Sequence, residues 1–178
     1  MSDRQKESGL SAALDGALTS LRSRQYEEVA VAAGCEWDRQ AGILHVPYFG
    51  RTVGLRLPGG EFVPEGMLSL REKVLVVRYL IGCPQGRGGR DLIGFNELEA
   101  GSIYLPSIRG RVYRPLISAF ADHPELLRER SAALGGEEVS EPEGAVRFQV
   151  FPRVAVFLIF RPADEEFPAD CTILFESE

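Results

Sequence analysis

Over residues 153–161 (RVAVFLIFR) almost every side chain is β-branched, aromatic or long and apolar, and the same composition returns at residues 171–175 (CTILF). Runs of this kind favour extended backbone, where such side chains pack on a pleated surface. The segment between them is Pro162-Ala163-Asp164-Glu165-Glu166-Phe167-Pro168-Ala169-Asp170, a polar stretch with prolines near both ends. Proline fixes φ and acidic residues favour turns, so the segment reads as a turn joining two strands. Residues 146–150 (VRFQV) alternate in the manner of a half-buried strand and supply a third.

The rest of the chain mixes helical and extended signals. Leu10, Leu14, Ala17, Leu18 and Leu21 recur at helical spacing, and a second helix over residues 25–33 stops at Gly34. Residues 43–49 and 52–57 are apolar or alternating runs around Gly50-Arg51, the spacing of a two-residue hairpin. Pro47 cannot donate a ladder hydrogen bond, which assigns its strand to an edge or an early end. Ser69-x-x-Glu72 has the form of a capping box and precedes residues 73–81, read as a buried helix. The apolar run 74–77 also suits a buried strand, so the cap and the length decide.

Residues 82–94 (GCPQGRGGRDLIG) carry too much Gly and Pro for regular structure and form a loop, with a short strand over 92–95. Ser107 caps a helix to about Phe120, and Pro124 sits in the first turn of another that ends at Gly135-Gly136. Residues 137–144 (EEVSEPEG) read as an acidic, mobile connection. Helices preceding and interrupting an antiparallel sheet, packed mainly on one face of it, define an α+β class. At 178 residues, one domain spanning 1–178 is expected, with a flexible start over about 1–9.

A net charge of −6 opposes binding to a polyanionic backbone, so nucleic acid is not an expected partner. Eighteen of the twenty basic residues are Arg, since Lys6 and Lys73 are the two lysines. Cys35, Cys83 and Cys171 lie far apart without a C-x-x-C pair, and an odd number cannot complete a disulfide framework. A reducing cytoplasm is therefore expected. The start MSDRQKESG has no apolar signal core, and the longest apolar run is too short to span a bilayer, so no membrane role is expected.

The acidic turn is the first candidate site. Asp164, Glu165 and Glu166, with Asp170, crowd enough negative charge to bind a hard cation or to raise a carboxyl pKa. In extended backbone Asp164 and Glu166 share a side, which makes them the candidate metal ligands, and all three of Asp164, Glu165 and Glu166 are candidate catalytic carboxylates. The same residues also fit a solvated hairpin end with Phe167 packed under the strands. The D-x-D-x-D-G spacing of an EF-hand is missing.

The second candidate is the glycine loop, where Arg87, Gly88, Gly89 and Arg90 have the composition of an anion cradle. Asp91 stands where G-x-G-x-x-G needs its third glycine, and no Gly-Lys-Ser/Thr follows, so a flexible connector fits equally. His45 and His123 lack zinc spacing and read as a strand histidine and a capping histidine. Neither four clustered thiolates nor a G-x-S-x-G elbow is present. Arg109, Arg111 and Arg114 open a helix near Tyr104 and Tyr113; they suit either an internal salt-bridge network with the acidic turn or an anion site.

Phe151-Pro152-Arg153-Val154-Ala155, the DEEFPA run and Ile173-Leu174-Phe175, with Tyr104, Phe120 and Leu134-Gly135-Gly136 further back, resemble a family of bacterial and archaeal proteins classed as a domain of unknown function. In some relatives the domain follows a cysteine-rich iron–sulfur segment related to those of corrinoid and carbon monoxide metabolism in anaerobes, so the resemblance implies an accessory context. This sequence does not include that segment and has Ala155 where a second proline is usual. The family supplies no catalytic residues, and no cofactor follows from it. Two functions remain: a binding or accessory domain without catalysis, contacting an unidentified protein or small molecule through the glycine loop and acidic turn, or a carboxylate-dependent, metal-assisted hydrolase using Asp164 to Glu166. A structural role in a homo-oligomer is a third.

Overall fold

The computed structural model describes residues 3–83 and 91–176, and within them the chain forms two compact units. The first is Met1–Arg87 with Phe151–Arg153, and the second is Gly88–Val150 with Val154–Glu178. Both are mixtures of helices and antiparallel strands, which is the α+β class expected.

In the first unit, α1 (Asp3–Arg22) and α2 (Tyr26–Ala33) are followed by strands β1 (Glu36–Asp38), β2 (Ile43–Tyr48), β3 (Arg51–Arg56) and β4 (Glu61–Val63), and then α3 (Leu70–Gly82). The helix α1 begins inside the stretch read as a loose terminus. Strand order is β1-β2-β3-β4, every pair antiparallel. The hairpin turn is Phe49-Gly50, one residue earlier than the sequence suggests, with φ of 47° and 70° at the two positions. Two successive positive φ values give the twist that joins adjacent strands without splaying them. Pro47 lies in an interior strand, yet β1 pairs with β2 only through residues 43–45, so no strand needs the N–H that Pro47 lacks.

The ambiguity over residues 74–77 resolves as helix. Ser69 Oγ accepts from the Glu72 N–H, and the Glu72 carboxylate accepts from the Ser69 N–H at 2.7 Å, so two otherwise orphaned donors are satisfied. Helix α2 ends at Gly34 in the left-handed region, and the Cys35 N–H reaches back to the Ala30 carbonyl. Leu21, Leu44, Val46, Val53, Leu55, Val76, Val77 and Leu80 are shut from solvent, each such burial worth about 1.5–3 kcal/mol.

The second unit contains β5 (Leu92–Gly94), a 3₁₀ turn (Phe95–Glu97), α4 (Gly101–Ile108), a π-helical turn (Arg109–Tyr113), α5 (Arg114–Phe120), α6 (Pro124–Ala133), β6 (Glu137–Val139), β7 (Ala145–Phe151, whose last residue belongs to the first unit), β8 (Val154–Arg161) and β9 (Asp170–Glu176). The sheet order is β5-β9-β8-β7-β6. Ser107 is not a cap: it sits inside α4, because the helix starts six residues earlier at Gly101. A Cβ at Gly101 would lie 1.8 Å from the Phe95 carbonyl oxygen, so only glycine permits that start. Residues 137–139, read as part of a mobile connection, are instead edge strand β6, paired with β7. Helix α6 does end at the glycines, with the Gly136 N–H donating to the Ser131 carbonyl. Leu127, Leu158 and Cys171 form a small buried cluster ringed by half-buried Tyr113, Leu116, Ile117, Phe120, Phe148, Phe160 and Ile173.

Candidate functional site

Strands β8 and β9 pair up to Arg161 and Asp170, so the acidic segment projects from the end of a regular hairpin. Its backbone is a closed turn and not the extended chain that would aim Asp164 and Glu166 to one side. Asp164 Oδ1 accepts from the Glu166 N–H at 2.9 Å and the Phe167 N–H at 2.7 Å, and the Asp164 N–H donates to the Phe167 carbonyl. These backbone donors, Phe167 first, hold the Asp164 carboxyl below its ordinary range. A carboxylate stabilised in its charged form by its own turn is moved away from general-base duty near neutral pH.

Glu165 and Glu166 are exposed, and so is Phe167. The ring does not pack under the strands: it is 67% exposed, because the Asp164 bonds fix the backbone that carries it outward. Arg161, Pro162, Asp164, Phe167, Pro168, Ala169 and Asp170 line a hollow of about 430 Å³. Among the described residues, no three His, Cys, Asp or Glu side chains are grouped to hold a metal ion. Arg87, Gly88, Gly89 and Arg90 lie outside the described residues.

The arginine segment forms the π turn between α4 and α5. The Arg114 N–H donates to the Arg109 carbonyl, five residues back, and Pro115 beyond it has no N–H to continue an α-helical ladder. Tyr113 is half-buried here against the cluster of Leu127, Leu158 and Cys171; burial first, then Cys171, pushes its pKa up, while the Ile173 backbone and Arg109 oppose that shift and Asp170 adds to it. Arg109 and Asp170 thus act on one hydroxyl. Yet among the described residues no ion pair joins Arg109, Arg111 or Arg114 to the acidic turn, so the internal salt-bridge network is not formed.

Sequence spacing gave no hint of a thiol cluster in the first unit. Cys35 Sγ approaches the Ala33 carbonyl, Cys83 Sγ approaches the Ala32 carbonyl, and the Tyr79 hydroxyl donates to Ala33 while accepting from the Arg153 N–H. Burial, reinforced by Cys83, pushes Cys35 up to about 12 and raises Tyr79 as well. In the second unit burial pushes Cys171 to about 11. Cys35 and Cys171 therefore rest as thiols at neutral pH, and two neighbouring cysteines do not supply the four thiolates of an iron–sulfur cluster. His123 occupies the N-cap position of α6 but makes no side-chain cap bond; its Nδ1 lies 3.1 Å from Glu125. His45 is half-buried in β2.

No helix among the described residues is long and apolar enough to cross a membrane. No curated protein and no solved structure matches the chain. A family model described as a domain of unknown function does match, over residues 25–178, which takes in everything from α2 onward. The acidic hairpin end, the π turn and the thiol cluster all fall inside that span, and the chain belongs to this family, DUF3786.

Proposed function

We propose that the protein is a binding or accessory domain without catalysis of its own, and that the acidic turn is its contact element. The observation that carries this reading is the pairing of an engaged Asp164 with an outward Phe167. An aromatic ring presented on a backbone already fixed by hydrogen bonds loses little entropy on binding, which is the character of an interface anchor. Glu165 and Glu166 on either side would set charge selectivity more than affinity. The accessory context, anaerobic iron–sulfur or corrinoid metabolism, is what the family resemblance implies.

Metal analysis of protein purified without chelator tests the reading against a carboxylate-dependent hydrolase. The expected result is no stoichiometric divalent metal, and no change in thermal shift with Mg²⁺, Mn²⁺ or Zn²⁺ for wild type, Asp164→Asn or Glu166→Gln. Stoichiometric metal in the wild type that disappears in both variants would overturn the binding reading and install the hydrolase.

A further inference from the structure

The second unit exposes two chemically opposite surfaces. On one, Ile103 and Tyr104 of α4 are 78% and 61% exposed, and Arg109, Arg111 and Arg114 follow them along the same helical run, all exposed. Among the described residues these three arginines make no ion pair and no side-chain hydrogen bond. On the other, Phe167 projects from the acidic turn with Glu165 and Glu166, which are likewise without ion pairs among the described residues. Each surface combines exposed apolar side chains with exposed like charges nearby in the chain, and the charges of the two are opposite.

We propose that the occupant of the α4 surface is a second copy of this chain, the Phe167 turn of each copy seated on Ile103 and Tyr104 of the other with Glu165 and Glu166 against the arginines. The proposal rests on the acidic turn being a contact element and names its partner. Within one chain the π turn and the foot of the acidic hairpin are neighbours, since Tyr113 packs against the cluster that contains Cys171, next to Asp170 at the hairpin end, yet among the described residues their charges do not pair. Neighbouring but unpaired complementary patches are the arrangement that a two-fold axis closes, because the exchange is reciprocal and each contact is made twice. The chain carries a net charge of −6, so two copies repel in general, and the arginine run is where that repulsion turns to attraction.

Sedimentation and light scattering on the full chain test this. The wild type is expected at twice the 19.6 kDa chain mass at tens of micromolar, with dissociation favoured as salt rises. Phe167→Ala should weaken association by roughly tenfold or more. The charge-reversed pair Glu165→Arg/Glu166→Arg and the pair Arg111→Glu/Arg114→Glu should each be monomeric alone and should form a one-to-one complex when mixed. A monomeric wild type at high concentration, or reversed variants that fail to associate on mixing, overturns the proposal. A photo-crosslinking residue at position 167, irradiated in cells, separates the two levels. An adduct of twice the chain mass supports self-association; an adduct with a different protein sinks it but keeps the contact-element reading; no adduct sinks both.

Discussion

The two units use apolar residues differently. The first shuts Leu21, Leu44, Leu55, Leu80, Val46, Val53, Val76 and Val77 fully from solvent while leaving Val31, Val63 and Leu75 exposed; in the second, Ile103, Tyr104, Leu134, Val154 and Phe167 are exposed, and the cluster of Leu127, Leu158 and Cys171 is edged by half-buried aromatics. Charged groups are engaged in both units, Glu72 with the α3 cap and Arg51 in the first and Arg128 with Glu138 in the second, whereas the arginines of the π turn and Glu165 and Glu166 of the acidic turn make no ion pair among the described residues. The first unit holds the larger set of fully buried aliphatics, and the second carries exposed aromatic and charged groups on α4, the π turn and the acidic turn that contact with something else can use.

The largest expected effect tests that contrast in the cores. Leu55→Ala, at a site with no exposure, should cost about 3–5 kcal/mol, and Leu158→Ala, at 8% exposure beside half-buried aromatics, about 2–3 kcal/mol by urea denaturation. An equal or greater loss at Leu158 breaks the comparison. Trp37 fluorescence reports the first unit and far-ultraviolet circular dichroism both. We propose that the units unfold as one domain, so the two transitions should coincide; separated midpoints would make them independent domains.

Gly101→Ala comes next, at about 1–3 kcal/mol or more, since the added Cβ forces the Phe95 carbonyl and the start of α4 to move. Ser69→Ala should cost about 1 kcal/mol by removing the cap of α3. Phe167→Ala should change stability by less than about 0.5 kcal/mol, because the ring packs against little, and a larger loss would place Phe167 with the fold.

Smallest is a pH effect. The Asp164 pKa is lower in the folded turn than in the unfolded chain, so its contribution is present above the usual aspartate range and is lost as pH falls through the folded value. Asp164→Ala should flatten the acid limb of the stability profile by that component. Cys35 has the opposite sign: its folded pKa is raised from 9.0 to about 12, so its contribution is full below pH 9 and is lost as pH rises toward 12. Cys35→Ala should therefore leave the acid limb unchanged and shrink the alkaline loss of the first unit.

Much of the fold follows from local signals. The Ser69/Glu72 box, Gly34, Gly135-Gly136, Pro124 and the three C-terminal β runs each act within a few residues, so the composition alone places α2, α3, α6, β7, β8 and β9. The short strands β1, β4 and β6 were not legible, because three residues carry too little periodicity and their pairing is supplied by a neighbouring strand. The start of α4 was misplaced for a related reason. Nothing near Ala100-Gly101 resembles a cap, and the glycine is needed only because the Phe95 carbonyl lies against it.

For the candidate site the division is the same. The sequence by itself determined that a dense acidic, proline-bounded turn joins two strands, and that arginines crowd a helix. Only the tertiary structure decided that Asp164 bonds its own turn, that Phe167 faces outward, and that the arginines of the π turn make no ion pair among the described residues. Residue type fixes which interactions are available to a side chain, but which of them is made depends on the backbone conformation, which for Asp164 is that of its own closed turn at the end of the paired β8 and β9.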